Sequence, residues 1–214
     1  FVYERHIDGL VFLTDSSTVD DVRCFANQIE AYNIDYIYPA MDGVITLLAK
    51  YRDLLKSQVI APDYETTMIT RSKKKTYDVL AGVVPLPKIY KNCHDVDCLP
   101  IFTKPDVGQG SVGAYRVDSK EALNDMSLFA DDRVVLEYLD GEEYTVDCFT
   151  NLEGKLIFSC CRKRLRMKNG ISVSCDYFED LKITEIAKKI NNRIKNVGGW
   201  FFQLKKNITG EYVL

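Results

Sequence analysis

The sequence has little of what several classes of protein require. It contains only two histidines, His6 and His94, so chemistry that depends on several imidazoles is not expected. No apolar run approaches the length that spans a membrane, and no signal peptide is visible. The 28 basic and 31 acidic side chains leave a net charge of −3, whereas sequence-independent nucleic-acid binding needs a basic face. These absences predict a cytoplasmic protein with no nucleic-acid or membrane partner.

The seven cysteines do not form the pattern of a disulfide framework. Their number is odd and their spacing is scattered, with Cys160 next to Cys161, which favours reduced thiols. Cys93-His94-Asp95 and Asp97-Cys98 bring together metal-ligating residue types, but one flexible loop does not supply the four well-spaced ligands that zinc requires. The sequence therefore predicts no zinc site there.

The first third of the chain alternates short strands with helices. Thr18 begins a helix, with Asp21 placed for a capping box, and apolar residues from Val44 to Leu55 form the stripe of a second helix. Strands are predicted within Gly9–Leu13, Asp35–Tyr38 and Gln58–Ala61. Strand, helix and strand make a βαβ-like unit with a small parallel sheet. The segment is too short for a complete doubly wound domain, so residues 1–62 are predicted to be the end of one.

The rest of the chain mixes helices with antiparallel strands and predicts an α+β fold. Helices are predicted from Lys73 to Ala81, from Ser119 to Phe129 and from Ile183 to Val197. Strands are predicted at Lys88–Tyr90, Arg133–Tyr138, Glu143–Thr150, Lys155–Lys163, Ile171–Cys175, Trp200–Lys205 and Glu211–Leu214. Asn151–Gly154 supplies a hairpin turn between two of them.

A glycine-rich loop follows a lysine within residues 101–113, which read IFTKPDVGQGSVG. Glycines let backbone N–H groups approach phosphate oxygens, and Lys104 adds positive charge at the root of the loop. The loop matches G-x-G-x-x-G, but a dinucleotide fold needs it to run straight into a helix, and here a strand-like Ala-Tyr-Arg-Val follows. No G-K-[ST] or D-F-G is present, which excludes a P-loop and a protein kinase. The loop is predicted to be a flap between two strands.

Several motifs in order resemble the ATP-grasp superfamily, in its carbamoyl-phosphate-synthase-like and carboxylate–amine ligase branch. They are Lys73 before a helix, Lys104-Pro before the flap, the E-x-L segment at Glu137 and the G-x-E-Y segment ending at Tyr144. The resemblance covers about residues 35–214. It implies an ATP-grasp domain at 63–214, with a lid subdomain at about 72–135 and a larger antiparallel-sheet subdomain at 136–214 that is incomplete at its C-terminus. A partial α/β domain, 1–62, would precede it.

The resemblance also implies which residues bind ATP. Lys73 and Lys104 would meet the phosphates, as point charges suited to that task. Flap residues Gly108, Gly110, Ser111 and Gly113 would cover those phosphates. Lys74 is the alternative to Lys73, one position along the same helix start.

The nucleoside would lie against the segments after the flap. Glu137 would take the adenine amino group, and the backbone at Tyr138 and Leu139 would contact the ring. Glu143 would accept hydrogen bonds from the ribose hydroxyls. Glu142 is the alternative, but strand alternation places Glu143 on one face with Thr145 and Asp147.

Arg162 and Arg164 resemble the family's R-x-R segment beside the transferred phosphate. Two arginines two positions apart on a strand share a face, so both could meet one phosphate and its acceptor. The alternative is a solvated pair on an edge strand.

Two departures from the family pattern concern the helix start and the metal. Ser72-Lys73 stands where the family usually has Asp-Lys. Magnesium, or manganese in its place, would be held by an acidic residue followed by Asn-Pro-Arg, and that segment is expected beyond Leu214. Gln203 matches a position near the metal and is a weak candidate ligand.

The reaction that the resemblance implies has two steps. ATP phosphorylates a carboxylate to an acyl phosphate, and an amine or ammonia then displaces phosphate, leaving ADP. The expected partners are a small-molecule carboxylate and amine, and a homodimer is compatible with the family. The alternatives are a nucleotide-binding or regulatory subunit without catalysis and an ATP-grasp phosphotransferase.

Overall fold

A computed structural model of the chain describes residues 11–14, 16–168 and 170–214. The chain divides into two compact units, of which one ends at Met68 and the other runs from Ile69 to Leu214. The finer domain limits given above stay a prediction. None of the helices in the described ranges is long and apolar enough to cross a membrane.

The first unit contains the parallel strand pair that the sequence predicts. Its elements are α1 (Val19–Ala31), β1 (Tyr36–Ile37), α2 (Asp42–Lys50) and β2 (Gln58–Val59). Thr18 and Asp21 form a reciprocal capping box at the start of α1, and Tyr36 pairs in parallel with Gln58. Val11–Leu13 form no strand, whereas Gly9 and Leu10 lie outside the described residues.

Helix α3 (Tyr64–Arg71) crosses the limit between the two units, and the second unit also contains α4 (Lys73–Leu80) and α5 (Leu181–Arg193). Helix α3 was not predicted, because its threonine-rich sequence has no clear apolar stripe. The predicted helix from Ser119 to Phe129 is wrong, since two short 3₁₀ turns, Ala122–Asn124 and Met126–Phe129, take its place. Between them Asp125 accepts a hydrogen bond from Ser127 N–H, so that its side chain competes with a continuous helix.

A four-stranded antiparallel sheet holds the flap. Its strands are β3 (Ile89–Tyr90), β4 (Ile101–Pro105), β5 (Tyr115–Val117) and β6 (Arg133–Glu137), in the order β3-β6-β4-β5. Residues 106–114 join β4 to β5, so the glycine-rich loop lies between two strands as predicted. On one face of this sheet, Tyr77 of α4 packs against Val134 and Leu136.

A five-stranded antiparallel sheet forms most of the remaining unit. Its strands are β7 (Glu143–Thr150), β8 (Leu156–Lys168), β9 (Ile171–Phe178), β10 (Gly198–Lys206) and β11 (Tyr212–Val213), in the order β11-β10-β7-β8-β9. Ile183, Ile186 and Ile190 of α5 share a buried core with one face, on which Tyr144 and Val146 lie. Because side chains alternate, Glu143, Thr145 and Asp147 point to the other face.

Candidate functional site

Lys104 lies on β4 opposite Val134, on the sheet face that packs against α4. Its ammonium lies 5.6 Å from the centroid of the Tyr77 ring, within cation–π range. Burial lowers the pKa of Lys104 to about 8, and the nearby Glu143 carboxylate opposes that shift. Among the described residues no atom accepts a hydrogen bond from its Nζ. The site therefore holds a cation that is withdrawn from water and open to an anionic partner.

Lys73 begins α4, and its ammonium lies within electrostatic range of Lys104. Lys73 Nζ donates to the carbonyl oxygens of Asp106 at 3.0 Å and of Gly108 at 3.3 Å. Burial and the charge of Lys104 lower the pKa of Lys73, and Asp106 opposes them. Lys74 Nζ instead donates to the carbonyl of Asp131 at 2.7 Å. Lys73 thus bonds the flap within electrostatic range of Lys104, whereas Lys74 bonds a different segment of the chain.

The flap is held at three places. Lys73 bonds its first glycine, as described, and Arg133 Nη2 donates to Gly113 O at 2.7 Å at its far end. Between them, the flap touches the β8–β9 turn, where a Cβ added at Gly170 would lie 2.4 Å from Ser111 Oγ and 2.7 Å from Gly110 C. No larger residue fits at Gly170, whose φ of +73° is also unfavourable for one. The flap is therefore seated on the five-stranded sheet's hairpin.

Arg164 joins that hairpin to Glu143. Its Nη1 donates to the Glu143 carboxylate, and its Nη2 donates to Gly170 O at 2.6 Å. The Arg164 side chain is only 4% exposed, and its buried Nε has no partner in the described part of the chain. The guanidinium that was predicted to meet a phosphate is thus engaged within the protein, where it orients Glu143 and the turn beneath the flap.

Arg162 is also paired with a carboxylate. Its Nε and Nη2 donate to Asp147 at 2.5 and 2.9 Å, a bidentate contact that raises the pKa of Arg162. Arg162 pairs with Tyr177 on β9 and Arg164 pairs with Cys175, so the two arginines share a sheet face. That shared face is the one predicted from their spacing.

Gln203 lies exposed on β10, opposite Thr145 and on the same face as the two arginines. Within residues 11–14, 16–168 and 170–214, no group of three or more His, Cys, Asp or Glu side chains is placed to hold a metal ion. Magnesium is usually bound through one or two carboxylates together with substrate phosphates. A magnesium site of that kind needs fewer protein ligands than such a group supplies, so a metal near Gln203 stays a prediction.

The two glutamates of the G-x-E-Y segment have different surroundings. Glu142 binds Lys163 and also accepts from Tyr144 Oη at 2.7 Å and from Lys206 Nζ at 3.1 Å. Lys163, Tyr144 and Lys206 together lower the pKa of Glu142 to about 2. Glu143, one-third exposed beside Lys104, is the glutamate that faces the cationic cluster.

Glu137, Tyr138 and Leu139 come together in an open cleft of about 550 Å³. Its lining is formed by Pro100, Arg116, Glu137, Tyr138, Leu139, Asp140, Gly141, Asn207 and Ile208. The Arg116 guanidinium lies 4.6 Å from the centroid of the Tyr138 ring. The Glu137 carboxylate accepts from Lys88 N–H at 2.8 Å, so in this structure it is already hydrogen-bonded to the backbone.

Sequence reasoning missed Asp106 and Arg133. Asp106 accepts hydrogen bonds from the start of α4, and Arg133 bonds the flap end as well as Thr103 Oγ1 at 3.1 Å. The position of Asp106 directly after Lys104-Pro is the one local signal. Its partners lie more than 30 positions away in the sequence, and no local pattern reports such contacts.

A model of the ATP-grasp domain matches residues 70–201. Among solved structures, the biotin carboxylase domain of Hydrogenobacter thermophilus 2-oxoglutarate carboxylase superposes with a TM-score of 0.74, at 12% identity over 91% of this chain. Carboxyaminoimidazole ribonucleotide synthase of Aspergillus clavatus gives 0.73, at 14% identity over 97%. The D-Ala:D-Ser ligase of Enterococcus faecalis gives 0.64, at 17% identity over 84%.

The three structures are longer than this chain, which spans 49%, 58% and 62% of their respective lengths. No curated protein sequence is significantly similar to it. At such low identities the likeness concerns the fold, and it confirms the α+β class that the sequence predicted.

Proposed function

This chain belongs to the ATP-grasp family, and from that premise we propose that it binds ATP with Mg²⁺ and joins a carboxylate to an amine or ammonia. One observation carries the proposal. Lys73 and Lys104, from a helix and a strand, converge under a glycine-rich flap and beside Glu143. Two half-buried cations that repel each other are stabilised by a polyanion lying between them.

The phosphates of ATP would be held by this cluster. Lys73 and Lys104 would supply charge, and Gly108, Gly110, Ser111 and Gly113 would supply backbone N–H groups from above. Both lysines have pKa values lowered by burial, so an anion would restore the charged form that burial disfavours.

The nucleoside would extend from the phosphates along the end of β6. The cleft at Glu137, Tyr138 and Leu139 would take adenine, with backbone at Tyr138 and Leu139 against the ring. The Glu137 carboxylate accepts one hydrogen bond from Lys88 N–H and has further acceptor sites for the adenine amino group. Glu143 would accept the ribose hydroxyls, with Arg164 fixing its orientation.

Magnesium would neutralise charge on the triphosphate when bound. Gln203 is one neutral amide, and the family resemblance predicts an acidic ligand in addition to it. Its expected location beyond Leu214 stays a prediction, and the chemistry below is argued from the side chains that are present.

The two steps need no protein nucleophile. A carboxylate oxygen of the substrate attacks the γ-phosphorus, the bond to the β-phosphate oxygen breaks, and ADP leaves. The amine then attacks the acyl carbon, phosphate leaves, and the amine loses a proton. Lys73 and Lys104 would balance negative charge that develops at the γ-phosphate and on ADP, and the closed flap would exclude water.

Ligands in the related structures support this assignment. The H. thermophilus domain was solved as a dimer with MgADP and bicarbonate, and the A. clavatus synthase with ATP. By analogy with the H. thermophilus dimer, we propose that this chain also forms a homodimer. The order of the motifs supports the carbamoyl-phosphate-synthase-like subtype, which is part of the proposal.

The test is ADP release by the whole protein with MgATP across a panel of amino acids, dipeptides and ammonia donors. Release that requires both a carboxylate and an amine, and that Lys104→Ala abolishes, is the expected result. ADP release with a phosphorylated acceptor and no need for an amine would replace the ligase by a phosphotransferase.

One observation favours a second candidate, an ATP-binding subunit without catalysis. Both arginines predicted to serve the acceptor are paired with carboxylates, Arg162 with Asp147 and Arg164 with Glu143. MgATP binding without ADP release for any member of the panel would support this candidate.

A further inference from the structure

Asp106 lies in the flap root, two positions after Lys104, and contacts three consecutive residues at the start of α4. Its carboxylate accepts from Ser72 Oγ at 2.8 Å and from Lys74 N–H at 2.7 Å. Its carbonyl oxygen accepts from Lys73 N–H at 3.1 Å and from Lys73 Nζ at 3.0 Å. The flap root and the helix start are therefore joined through one residue.

These contacts supply hydrogen-bond acceptors to the first turn of helix α4. The first N–H groups of a helix have no partner within it, and a negative charge there is favourable. Ser72 is the N-cap and accepts from Lys75 N–H at 3.2 Å. Asp106 takes the Lys74 N–H group, so the first turn of α4 is capped partly from another element. The position of Lys73 consequently depends on the flap root.

We propose that Asp106 is a positioning residue that holds Lys73 at the working distance from Lys104, so that both ammonium groups meet one polyphosphate. Pro105 stiffens the link between Lys104 and Asp106, because its ring fixes the backbone φ angle. Strand β4, Asp106 and α4 thus form one rigid connection between the two lysines. The inference rests on the proposed function, in which those lysines bind ATP.

The carboxylate also has an electrostatic part in this arrangement. Lys73 faces a second cation, Lys104, and Asp106 is the anion that opposes their repulsion. Asparagine at position 106 would keep a hydrogen-bond acceptor for Lys74 N–H but remove that charge. Asp106→Asn therefore separates the geometric contribution from the electrostatic one.

The experiment compares Asp106→Ala with Asp180→Ala in the whole protein, by calorimetric titration with MgATP and by thermal unfolding. Asp180 is a matched control, because its carboxylate caps α5 through Lys182 N–H at 2.8 Å, away from the two lysines. Both variants should lower Tm. Only Asp106→Ala should raise the Kd for MgATP, by about tenfold, as expected when a charge-assisted contact is lost.

A rescue variant distinguishes positioning from general stability. Ser72→Asp places a strong N-cap at the helix itself, so adding it to Asp106→Ala should restore most of the MgATP affinity. Asp106→Asn should lower Tm less than Asp106→Ala does, and its MgATP affinity should decline at a lower pH than that of the wild type as Lys73 loses its proton. If Asp106→Ala does not fold, Asp106→Asn and the rescue variant decide the outcome.

Equal MgATP affinity in wild type and Asp106→Ala, or an effect no larger than that of Asp180→Ala, would overturn the inference. Failure of the rescue and an unmoved pH profile in Asp106→Asn would do the same. Absence of MgATP binding by the wild type would overturn the proposed function instead, and the Tm comparison would still show whether Asp106 caps α4.

Discussion

Arg164 and Glu143 are partners across neighbouring strands, and Arg164 is almost fully buried where it donates to the Glu143 carboxylate. Each had been assigned a separate contact with ATP from the sequence. Their pairing makes Glu143 the group that faces outward and Arg164 its support, which also bonds Gly170 beneath the flap. A ligand at Glu143 is therefore coupled structurally to the seat of the flap.

Replacing Glu143 should have two different consequences, depending on the substitute. Glu143→Ala leaves the buried Arg164 guanidinium without its charged partner, so the free energy of unfolding should fall by about 3 kcal/mol. Glu143→Gln keeps an acceptor for Arg164 but is a weaker partner for ribose hydroxyls, so its Kd for MgATP should rise about tenfold. Its affinity for inorganic tripolyphosphate, which has no ribose, should not decrease.

Glu142→Gln is the control for this prediction, because Glu142 binds Lys163 and Lys206 rather than the cationic cluster. Titration calorimetry with both ligands makes the comparison. An equal loss of ATP and tripolyphosphate affinity in Glu143→Gln would remove Glu143 from the ribose site.

The lowered pKa of Lys104, about 8, predicts how binding and stability depend on pH. Binding of an anion requires the protonated lysine, so MgATP affinity should fall as pH rises through about 8. Calorimetry near pH 8.5 in buffers of different ionisation enthalpy should show proton uptake on binding. Glu143, Lys73 and Tyr77 face Lys104, and the Glu143 carboxylate favours the charged form of that lysine.

The free energy of unfolding should change with pH in the opposite direction to the MgATP affinity. Between pH 8 and about 10.4, the usual lysine value, the unfolded chain retains a proton that folded Lys104 has released, so the free energy of unfolding should rise with pH. Below pH 8 the full cost of burying the charge is present. Lys104→Met should thus stabilise the protein at pH 7 while abolishing MgATP binding. Loss of stability together with unchanged binding would contradict this account of Lys104.

Lys73 and Lys74 should differ in their contribution to ATP binding. Lys73→Met removes the ammonium beside Lys104 and should raise the Kd for MgATP about tenfold or more. Lys74→Met removes only a contact with the carbonyl of Asp131 and should change that Kd less than twofold, about the size of a surface effect. A larger effect of Lys74→Met, measured by the same titration, would reverse the assignment.

Gly170 should matter to the flap and not only to its own turn. Gly170→Ala places a Cβ against Ser111 and Gly110, whereas Gly154→Ala, at a similar φ of +79°, meets nothing within 4 Å. Both should lose about 1 kcal/mol of unfolding free energy from the left-handed backbone, and Gly170→Ala should lose more because its Cβ meets the flap. Only Gly170→Ala should also make the flap more susceptible to cleavage in limited proteolysis and weaken MgATP binding.

Equal proteolysis of the two glycine variants would show that the flap does not rest on Gly170. An equal fall in unfolding free energy in Gly170→Ala and Gly154→Ala, measured by urea denaturation, would support the same conclusion.

Local patterns in the sequence were enough for most of the fold. Alternation marked the strands on both sides of Asn151–Gly154, and the Thr18 and Asp21 pair marked the start of α1. Helix α3 escaped notice because it lacks a clear apolar stripe, and Asp125 divides what reads as one helix into two turns. The predictions of secondary structure fail where side-chain hydrogen bonds, rather than the periodicity of apolar residues, determine the backbone conformation.

The candidate site could be predicted only in its individual parts. Lys104 and the flap glycines follow from a local motif, whereas the pairing of Arg164 with Glu143 depends on the register between β7 and β8. The capping of α4 by Asp106 depends on a contact between residues that are 32 positions apart in the sequence. Sequence spacing carries no record of either contact.

Titration of the whole protein with MgATP, alongside Lys104→Met at pH 7, tests the central claim most directly. The account predicts saturable binding by the wild type and none by a variant that is at least as stable. Absence of wild-type binding at millimolar MgATP, or equal binding by both proteins, would contradict it.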